Sequence, residues 1–318
     1  MRILKSILVL ILAFSFNSSY AQYTEVINSN RPGVSKSAFS VGTGVVQFET
    51  GAYTVKEEHA LANYEVSGFG LDFALRYGLL FEELELSLDG IYQSDNITYN
   101  NATIPVEDKR SNFKNFTLGA KYLVYDPYKN AGEEKPNLYS YHANNKFSWK
   151  SLIPAVSIFA GANFDAKDNP YTAPDIEGFS PKVMIATQNN FNGGWVFVMN
   201  LIKDRIGTDQ SDFQYIFTLT HSFTPQWVVF GEAQGIDSDF YADNIFRFGG
   251  AYLWTENFQL DANLAFNTKD TPTVLNIAFG ASYRLDFHQD KKIDNGNGSD
   301  GNFKKKKKKE KKTDDFDS

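Results

Sequence analysis

The sequence contains no cysteine, which excludes disulfide bonds, a thiol-held metal site and a cysteine-linked lipid anchor. Its longest unbroken apolar run, residues 7–14, is far shorter than the roughly 20 residues that a membrane-spanning helix needs. Histidine is scarce, and the four histidines do not have the spacing of metal ligands. These absences exclude a disulfide-stapled scaffold and a helical membrane protein.

The apolar run has the features of a secretory signal peptide. Arg2 and Lys5 precede it, and residues 19–21 (Ser-Tyr-Ala) form a small-x-small cleavage site after it. We therefore predict that residues 1–21 are a signal peptide.

Residues 273–287 alternate two chemically different faces almost without error, and this period of two is typical of a β-strand with one apolar side. The apolar face consists of Leu275, Ile277, Phe279, Ala281, Tyr283, Leu285 and Phe287. The opposite face consists of Val274, Asn276, Ala278, Gly280, Ser282, Arg284 and Asp286. The run exceeds the ~5–6 residues usual in soluble sheets and suits a tilted membrane-spanning strand of about 9–11 residues.

Similar alternation recurs from residue 44 onward, and about twelve strands can be assigned. The short connections include 190–194, 222–226 and 255–257, at every second junction. The predicted longer loops between them are 56–62, 94–112, 165–178 and 237–243. Only the long connection 126–149 falls on the side of the turns. Short periplasmic turns and longer extracellular loops are typical of outer-membrane barrels, so the fold class is all-β: a transmembrane antiparallel β-barrel over residues 44–287.

Several aromatic residues are predicted to lie at the lipid headgroups, because they stand beside the turns and most share the parity of the apolar face. These interfacial aromatics are Trp195, Trp227, Trp254, Tyr283 and Phe287. A soluble sandwich has no reason to align tryptophans at one edge. Apolar residues outside and polar residues inside also invert the pattern of a soluble barrel.

The polar residues on the opposite parity are predicted to face the lumen. They are Gln47, Glu49, Asp72, Arg76, Glu85, Asp89, Asn115, Lys121, Gln214, Glu232, Arg247, Gln259, Asp261, Asn263, Asn276 and Arg284. Such residues either line a water-filled path that selects solutes or form a structural ion-pair network in a closed barrel. A count of twelve strands does not decide between these interpretations.

The remaining segments flank the barrel. Residues 22–43 form a lead-in without sustained period, a candidate partial plug of the lumen, and residues 288–318 form a Lys-rich tail that we predict to be disordered and periplasmic. Removing two positive charges with the signal peptide and a net three with the tail lowers the formal net charge from -7 to -12. An acidic body of this kind excludes nucleic acid as a favoured partner.

Four short motifs resemble an outer-membrane transporter family, the "MetA-pathway of phenol degradation" type. They are 30–33 (Asn-Arg-Pro-Gly), 44–51 (Gly-Val-Val-Gln-Phe-Glu-Thr-Gly), 229–232 (Val-Phe-Gly-Glu) and 257–261 (Asn-Phe-Gln-Leu-Asp), and the similarity extends over most of residues 28–287. The resemblance implies an outer-membrane barrel that passes small solutes, including apolar or aromatic ones. Together with the strand parity it leads us to expect that Arg31 enters the lower lumen and pairs with an acid such as Glu49.

The leading hypothesis is a passive channel or facilitated transporter in the outer membrane of a Gram-negative bacterium. It needs no cofactor, and its expected partners are outer-membrane lipid, a small-molecule solute and the barrel-assembly machinery. Acidic lumen and loops favour cations or neutral molecules over anions. A second hypothesis is a plugged structural or assembly barrel that recruits partners through its loops or tail.

A third hypothesis, a membrane-embedded hydrolase, is weakened by the histidines. His221 adjoins Ser222, but adjacent strand residues point to opposite faces and do not form a catalytic dyad directly. We therefore assign no catalytic, cofactor-binding or metal-binding residue.

Overall fold

A computed structural model describes residues 26–101, 103–128 and 149–288. The predicted signal peptide, residues 22–25 of the lead-in, most of the connection 126–149 and the tail beyond residue 288 lie outside these ranges.

The chain folds into twelve antiparallel strands that close into one barrel, which confirms the predicted fold class. The strands are β1 (Val45–His59), β2 (Tyr64–Gly78), β3 (Leu84–Tyr99), β4 (Val106–Tyr125), β5 (Ala155–Asp165), β6 (Gly178–Phe191), β7 (Trp195–Asp204), β8 (Asp212–Ser222), β9 (Trp227–Asp237), β10 (Asp243–Thr255), β11 (Phe258–Asn267) and β12 (Thr273–Asp286). A short 3-10 helix, Trp149–Leu152, precedes β5. No helix in the described ranges is long and apolar enough to cross a membrane.

The first and last strands close the barrel. β1 pairs with β12 from Val45 opposite Asp286 to Glu58 opposite Thr273, and every other strand pairs with its neighbours in sequence. Closure leaves no strand edge unpaired, as a lipid environment requires. We call the end where Val45 and Asp286 meet the lower end, and the opposite end the upper end.

The side chains alternate as the period of two predicts. On β12, Ile277, Phe279 and Tyr283 are exposed on the outer face, whereas Ser282 and Arg284 are buried inside. The same inversion holds around the barrel: large apolar side chains are exposed on the outer face, and the buried interior is rich in charged and amide side chains. This distribution suits a protein whose outside is solvated by lipid.

The long loop predicted at 94–112 is wrong, because β3 continues to Tyr99 and β4 begins at Val106. Ser94 pairs with Ser111 and Thr98 with Glu107, so polar residues on both faces concealed the strand period. Strands that extend beyond the apolar band need no apolar face. The expected difference in length between the connections at the two ends is therefore weaker than predicted.

We expect Leu264→Arg to lower the free energy of unfolding by about 2–4 kcal/mol, because an exposed charge in the apolar band must be solvated by lipid. Leu264 is exposed on the outer face, with Phe248 and Ile277 as its register partners. The measurement is urea unfolding of the barrel in lipid vesicles. Leu285→Arg is the control, since Leu285 is equally outward but lies at the lower end of β12 and should cost about 0–1 kcal/mol. Equal losses would contradict the assigned apolar band.

Candidate functional site in the barrel lumen

Residues 26–44, which we call the plug segment, run through the lower lumen. The segment enters where the amide of Ile27 donates to the carbonyl of Glu256 at 2.8 Å, in the turn between β10 and β11. It leaves where the amide of Thr43 donates to the Glu82 carboxylate at 3.0 Å, in the turn between β2 and β3. Both ends lie at the lower end of the barrel, so the residues between them fold up and back inside it.

The plug segment folds back on itself through side chains and not through a strand ladder. The Asn28 amide donates to the Ser37 hydroxyl at 3.1 Å, and the Ser37 backbone N–H donates to the Asn30 side chain at 2.9 Å. The tip between these arms is residues 31–36 (Arg-Pro-Gly-Val-Ser-Lys). Proline lacks an N–H, and small polar residues bond readily to nearby backbone, so this sequence favours a compact loop.

Acidic side chains of the wall accept the backbone N–H groups of the plug segment. The Glu232 carboxylate on β9 accepts from Val34 and Ser35 at 3.1 Å, and the Glu49 carboxylate on β1 accepts from Asn30 at 3.2 Å. A backbone N–H removed from water needs an acceptor, and inside a barrel the inward carboxylates supply it. The wall therefore holds the plug segment by polar contacts.

Arg31 is held by two carboxylates on opposite sides of the closing strand pair. Its Nε and Nη2 each donate to Asp261 at 3.1 Å, and its Nη1 donates to Asp72. Although burial opposes the charged form, these carboxylates raise the pKa of Arg31 above its ordinary value. The group is thus a permanent cation, and its fork of donors suits two carboxylates.

The space for Arg31 is made by two glycines. Asp72 pairs with Gly51, Gly51 with Gly280, and Gly280 with Asp261, so the four residues form one row across β2, β1, β12 and β11. A Cβ atom on either glycine would collide with the Arg31 guanidinium. We call this acid-Gly-Gly-acid row the Arg31 seat.

The acidic partners of Arg31 are Asp72 and Asp261, and not Glu49, which the sequence analysis gave as an example. Glu49 is committed to Arg76, whose Nη1 donates to it at 3.0 Å, and to Gln47 at 2.7 Å. Arg31 instead reaches Asp72 and Asp261 in the seat. Glu49 also accepts the backbone N–H of Asn30, so its two oxygens already have donors from the wall and from the plug segment.

A fully buried charge network on β2, β3 and β4 supports the plug segment from the side. Arg76 pairs with Glu85 at 2.9 Å, and Glu85 with Lys121 at 3.2 Å. Lys121 also donates to the carbonyls of Ser37 and Phe39 at 2.9 Å. Removing one member of such a network leaves an unpaired buried charge, typically at a cost of about 3–5 kcal/mol.

Further contacts fasten the rest of the tip. Lys36 pairs with Asp89 on β3, and its backbone N–H donates to Asn200 on β7 at 2.6 Å. Asn263 on β11 donates to the carbonyl of Pro32 at 2.7 Å. The tip is therefore bonded to opposite walls of the barrel.

An apolar contact anchors the other arm. Ala38 is buried with Leu123 and Ala155, and Phe39 and Tyr128 pack against this cluster. The plug segment therefore has an apolar anchor near its C-terminal end and a polar tip.

The loop 166–177 between β5 and β6 packs against the inner wall at the upper end. The Tyr171 hydroxyl donates to Asp95 on β3 at 3.0 Å, and Arg110 on β4 pairs with the same carboxylate at 2.8 Å. The Arg110 guanidinium also lies over the Tyr171 ring at 5.3 Å. These contacts hold the loop against one wall.

A β-bulge in β4 anchors two upper loops. Ile91 and Tyr92 pair with Asn115 and Phe113, which leaves Lys114 as the extra residue. The carbonyl of Phe113 accepts from Asn169 at 2.8 Å, and the carbonyl of Lys114 accepts from Arg205 at 3.3 Å. Carbonyls released from the ladder by the bulge thus bind the loops after β5 and β7.

An apolar patch lies on the inner face above the Arg31 seat. It consists of Val55, Val66 and Ile97, with Tyr53 and Tyr64 packed against it. The lumen therefore combines a polar lower part with an apolar wall on β1, β2 and β3.

The predicted lumen residues all lie on the inward parity, but they are not one site. Those bonded to the plug segment are Gln47, Glu49, Asp72, Arg76, Glu85, Asp89, Lys121, Glu232, Gln259, Asp261 and Asn263. Arg247 is linked to the plug segment through Glu232, with which it pairs at 3.1 Å.

Four others bond elsewhere or lie apart. Asn115 accepts from Thr117 on its own strand, Gln214 bonds Asp212 and Gln234, and Arg284 donates to Asn257 at the lower end, while Asn276 lies towards the upper end of β12.

Sequence reasoning missed Gly51, Gly280, Lys36 and Asn200 as site residues. The two glycines occupy inward positions of predicted strands, which is a signal for close approach by another group.

The predicted interfacial aromatics are exposed near the lower end. Trp195, Trp227, Trp254 and Tyr283 lie on the outer face close to the turns, and Phe287 follows β12. Trp195 stacks on His221, its register partner, at 4.2 Å between ring centroids. His221 is therefore occupied by an outer aromatic contact. Among the described residues, no group of three or more His, Cys, Asp or Glu side chains is arranged to hold a metal ion.

Residues 29–285 match the family described as "Putative MetA-pathway of phenol degradation". Among solved structures, an outer membrane channel from Pseudomonas putida F1 is similar over 81% of this chain and 100% of its own, at 10% identity and a TM-score of 0.50. A deltaS2S3 mutant of TodX, a monoaromatic hydrocarbon channel, aligns over 83% and 96% of the two chains at 10% identity and a TM-score of 0.41. A search of curated proteins returned no significant match. At these identities the structural likeness concerns the fold alone.

We expect Gly280→Ala to displace the tip, because the added methyl group collides with the Arg31 guanidinium. Trypsin should then cleave the folded barrel faster after Lys36, which in the wild type is bonded to Asp89 and Asn200. The control is Gly231→Ala on the outer face, where the added group meets only the Phe248 ring at 3.3 Å. Equal cleavage of Gly280→Ala and wild type would show that the seat does not hold the tip.

Proposed function

Because the chain belongs to the family of the MetA pathway of phenol degradation, as its match over residues 29–285 shows, we propose that it is an outer-membrane channel or facilitated transporter for small solutes. The lower end faces the periplasm, as expected for the end with the shorter turns and both ends of the barrel. Transport of this kind uses no cofactor. In this proposal the described conformation, with the plug segment in the lower lumen, corresponds to the closed state.

The polar attachment of the tip is the observation that carries this proposal. Arg31, Val34, Ser35 and Lys36 are held by ion pairs and hydrogen bonds to wall side chains. Each such bond contributes only about 0.5–1.5 kcal/mol net when water replaces the partner, or somewhat more for a charged group. A tip held in this way can leave without exposing an apolar core, while the anchor around Ala38 stays in place.

The charges and surfaces of the lumen support a preference for cationic or neutral solutes. When the tip leaves, the carboxylates of Asp72, Asp261 and Glu232 lose its donors and face the path. Carboxylates lining a narrow path repel anions. The apolar patch around Val55 supports the passage of solutes with an apolar or aromatic part.

The extent of the plug contacts also favours a second candidate, a permanently closed barrel with a structural or assembly role. In that case the same ion pairs hold the lumen shut, and the loops or tail recruit partners. The outer aromatics support contact with outer-membrane lipid in both cases. Under both candidate functions the barrel-assembly machinery inserts the barrel into the outer membrane.

Conductance in planar bilayers separates the two candidates. We expect a variant with Asp72→Asn and Asp261→Asn to stay open longer than wild type, because Arg31 loses both carboxylates of its seat. Asp270→Asn, in the connection after β11, is the matched control and should behave as wild type. Heat-modifiable gel mobility verifies that each variant is folded. Silence of all folded variants would refute the channel and favour the closed barrel.

Reversal potentials in a salt gradient test the charge preference. Arg31→Ala should open the lumen while leaving both seat carboxylates charged, so we expect it to be more cation-selective than the Asp72→Asn, Asp261→Asn variant. The difference should shrink at high ionic strength, where exposed charges are screened. Anion selectivity of Arg31→Ala would contradict the assignment.

A further inference from the structure

The Arg31 seat is shaped for a guanidinium group in particular. Three nitrogens of Arg31 are used, with Nε and Nη2 on Asp261 and Nη1 on Asp72, and the planar group lies against the backbone of Gly51 and Gly280. An ammonium group offers donors but neither the flat shape nor the fixed fork. The site is therefore selective for shape as well as charge.

The seat is also reachable from within the barrel. The Asp261 side chain is 0% exposed, but the Asp72 side chain is 31% exposed. Asp72 is therefore the member of the seat that a dissolved molecule meets first. Tyr53 lies two residues above Gly51 on the same face of β1, and the apolar patch around Val55 follows.

We propose that the Arg31 seat is a binding site for small organic cations that carry a guanidinium group, and that such a cation displaces Arg31 and releases the tip. This inference rests on the proposed function, since release of the tip opens the lumen. Arg31 then acts as a built-in occupant that an incoming solute replaces. A short apolar body on the solute adds contact with Tyr53 and the apolar patch.

The incoming cation competes with Arg31, which is tethered to the site by the plug segment. This competition sets the concentration of cation that is needed for opening. A group on a short linker has an effective concentration on the order of millimolar, so the competing cation must reach a similar range or gain extra contacts. Release of the tip must also break its bonds to Glu232 and Asn200, which raises the required concentration further. Opening should accordingly need a higher solute concentration than binding to a vacant seat does.

The first arm of the test is bilayer recording of the wild-type channel with methylguanidinium at the upper side. We expect a several-fold rise in open fraction at millimolar concentrations. Tetramethylammonium, with the same charge and no donors, should leave the open fraction unchanged. An equal effect of the two cations would overturn the proposal, because charge alone would then suffice.

The second arm measures binding apart from opening. Methylguanidinium should raise the melting temperature of folded Arg31→Ala barrels, whose seat is vacant but charged, and should not do so when Asp72→Asn and Asp261→Asn are added. If neither wild type nor Arg31→Ala conducts, the channel function itself fails. Arg31→Ala could conduct while methylguanidinium changes neither the open fraction of wild type nor the melting temperature of Arg31→Ala. That result would refute the guanidinium site and leave the channel function standing.

Discussion

Hydrogen bonds between β1 and β12 are the constraint on which the other features depend. Without that pairing, two strands would present bare N–H and C=O groups to lipid, where no water satisfies them. Closure also brings Gly51 beside Gly280 and sets Asp72 and Asp261 on either side of them. The place that receives the plug segment is therefore a product of closure, and neither half of the chain makes it alone.

Closure has a second effect, because it encloses polar side chains in a limited volume. Arg76, Glu85 and Lys121 have no access to bulk water and satisfy one another. Other inward groups obtain partners from the plug segment, which supplies backbone donors to Glu232 and a cation to Asp261. When the plug segment fills the lower lumen, it also gives hydrogen-bond and charge partners to side chains of the wall. Outside the barrel, lipid solvates the apolar side chains.

The sequence was sufficient for the fold class and for most of the strands, since the two faces of β12 differ so clearly between Phe279 and Arg284. It was insufficient for strand ends that lack hydrophobic alternation and for contacts that depend on the pairing register of the strands. At residues 94–112 both faces are polar, so no hydrophobic alternation marks the ends of β3 and β4. The partners of Arg31 depend on which residues lie side by side in strands far apart in sequence, and no local pattern contains that information.

The two glycines make the seat a marker of correct assembly. Side chains alternate faces along a strand, so a slip of one residue between β1 and β12 would turn Gly280 outward and bring Phe279 or Ala281 to the inside at that row. Arg31 would then meet a side chain where it now meets open backbone. A barrel that has closed in the wrong register therefore cannot accommodate the plug segment. A folded tip accordingly indicates that β1 and β12 have paired in the correct register.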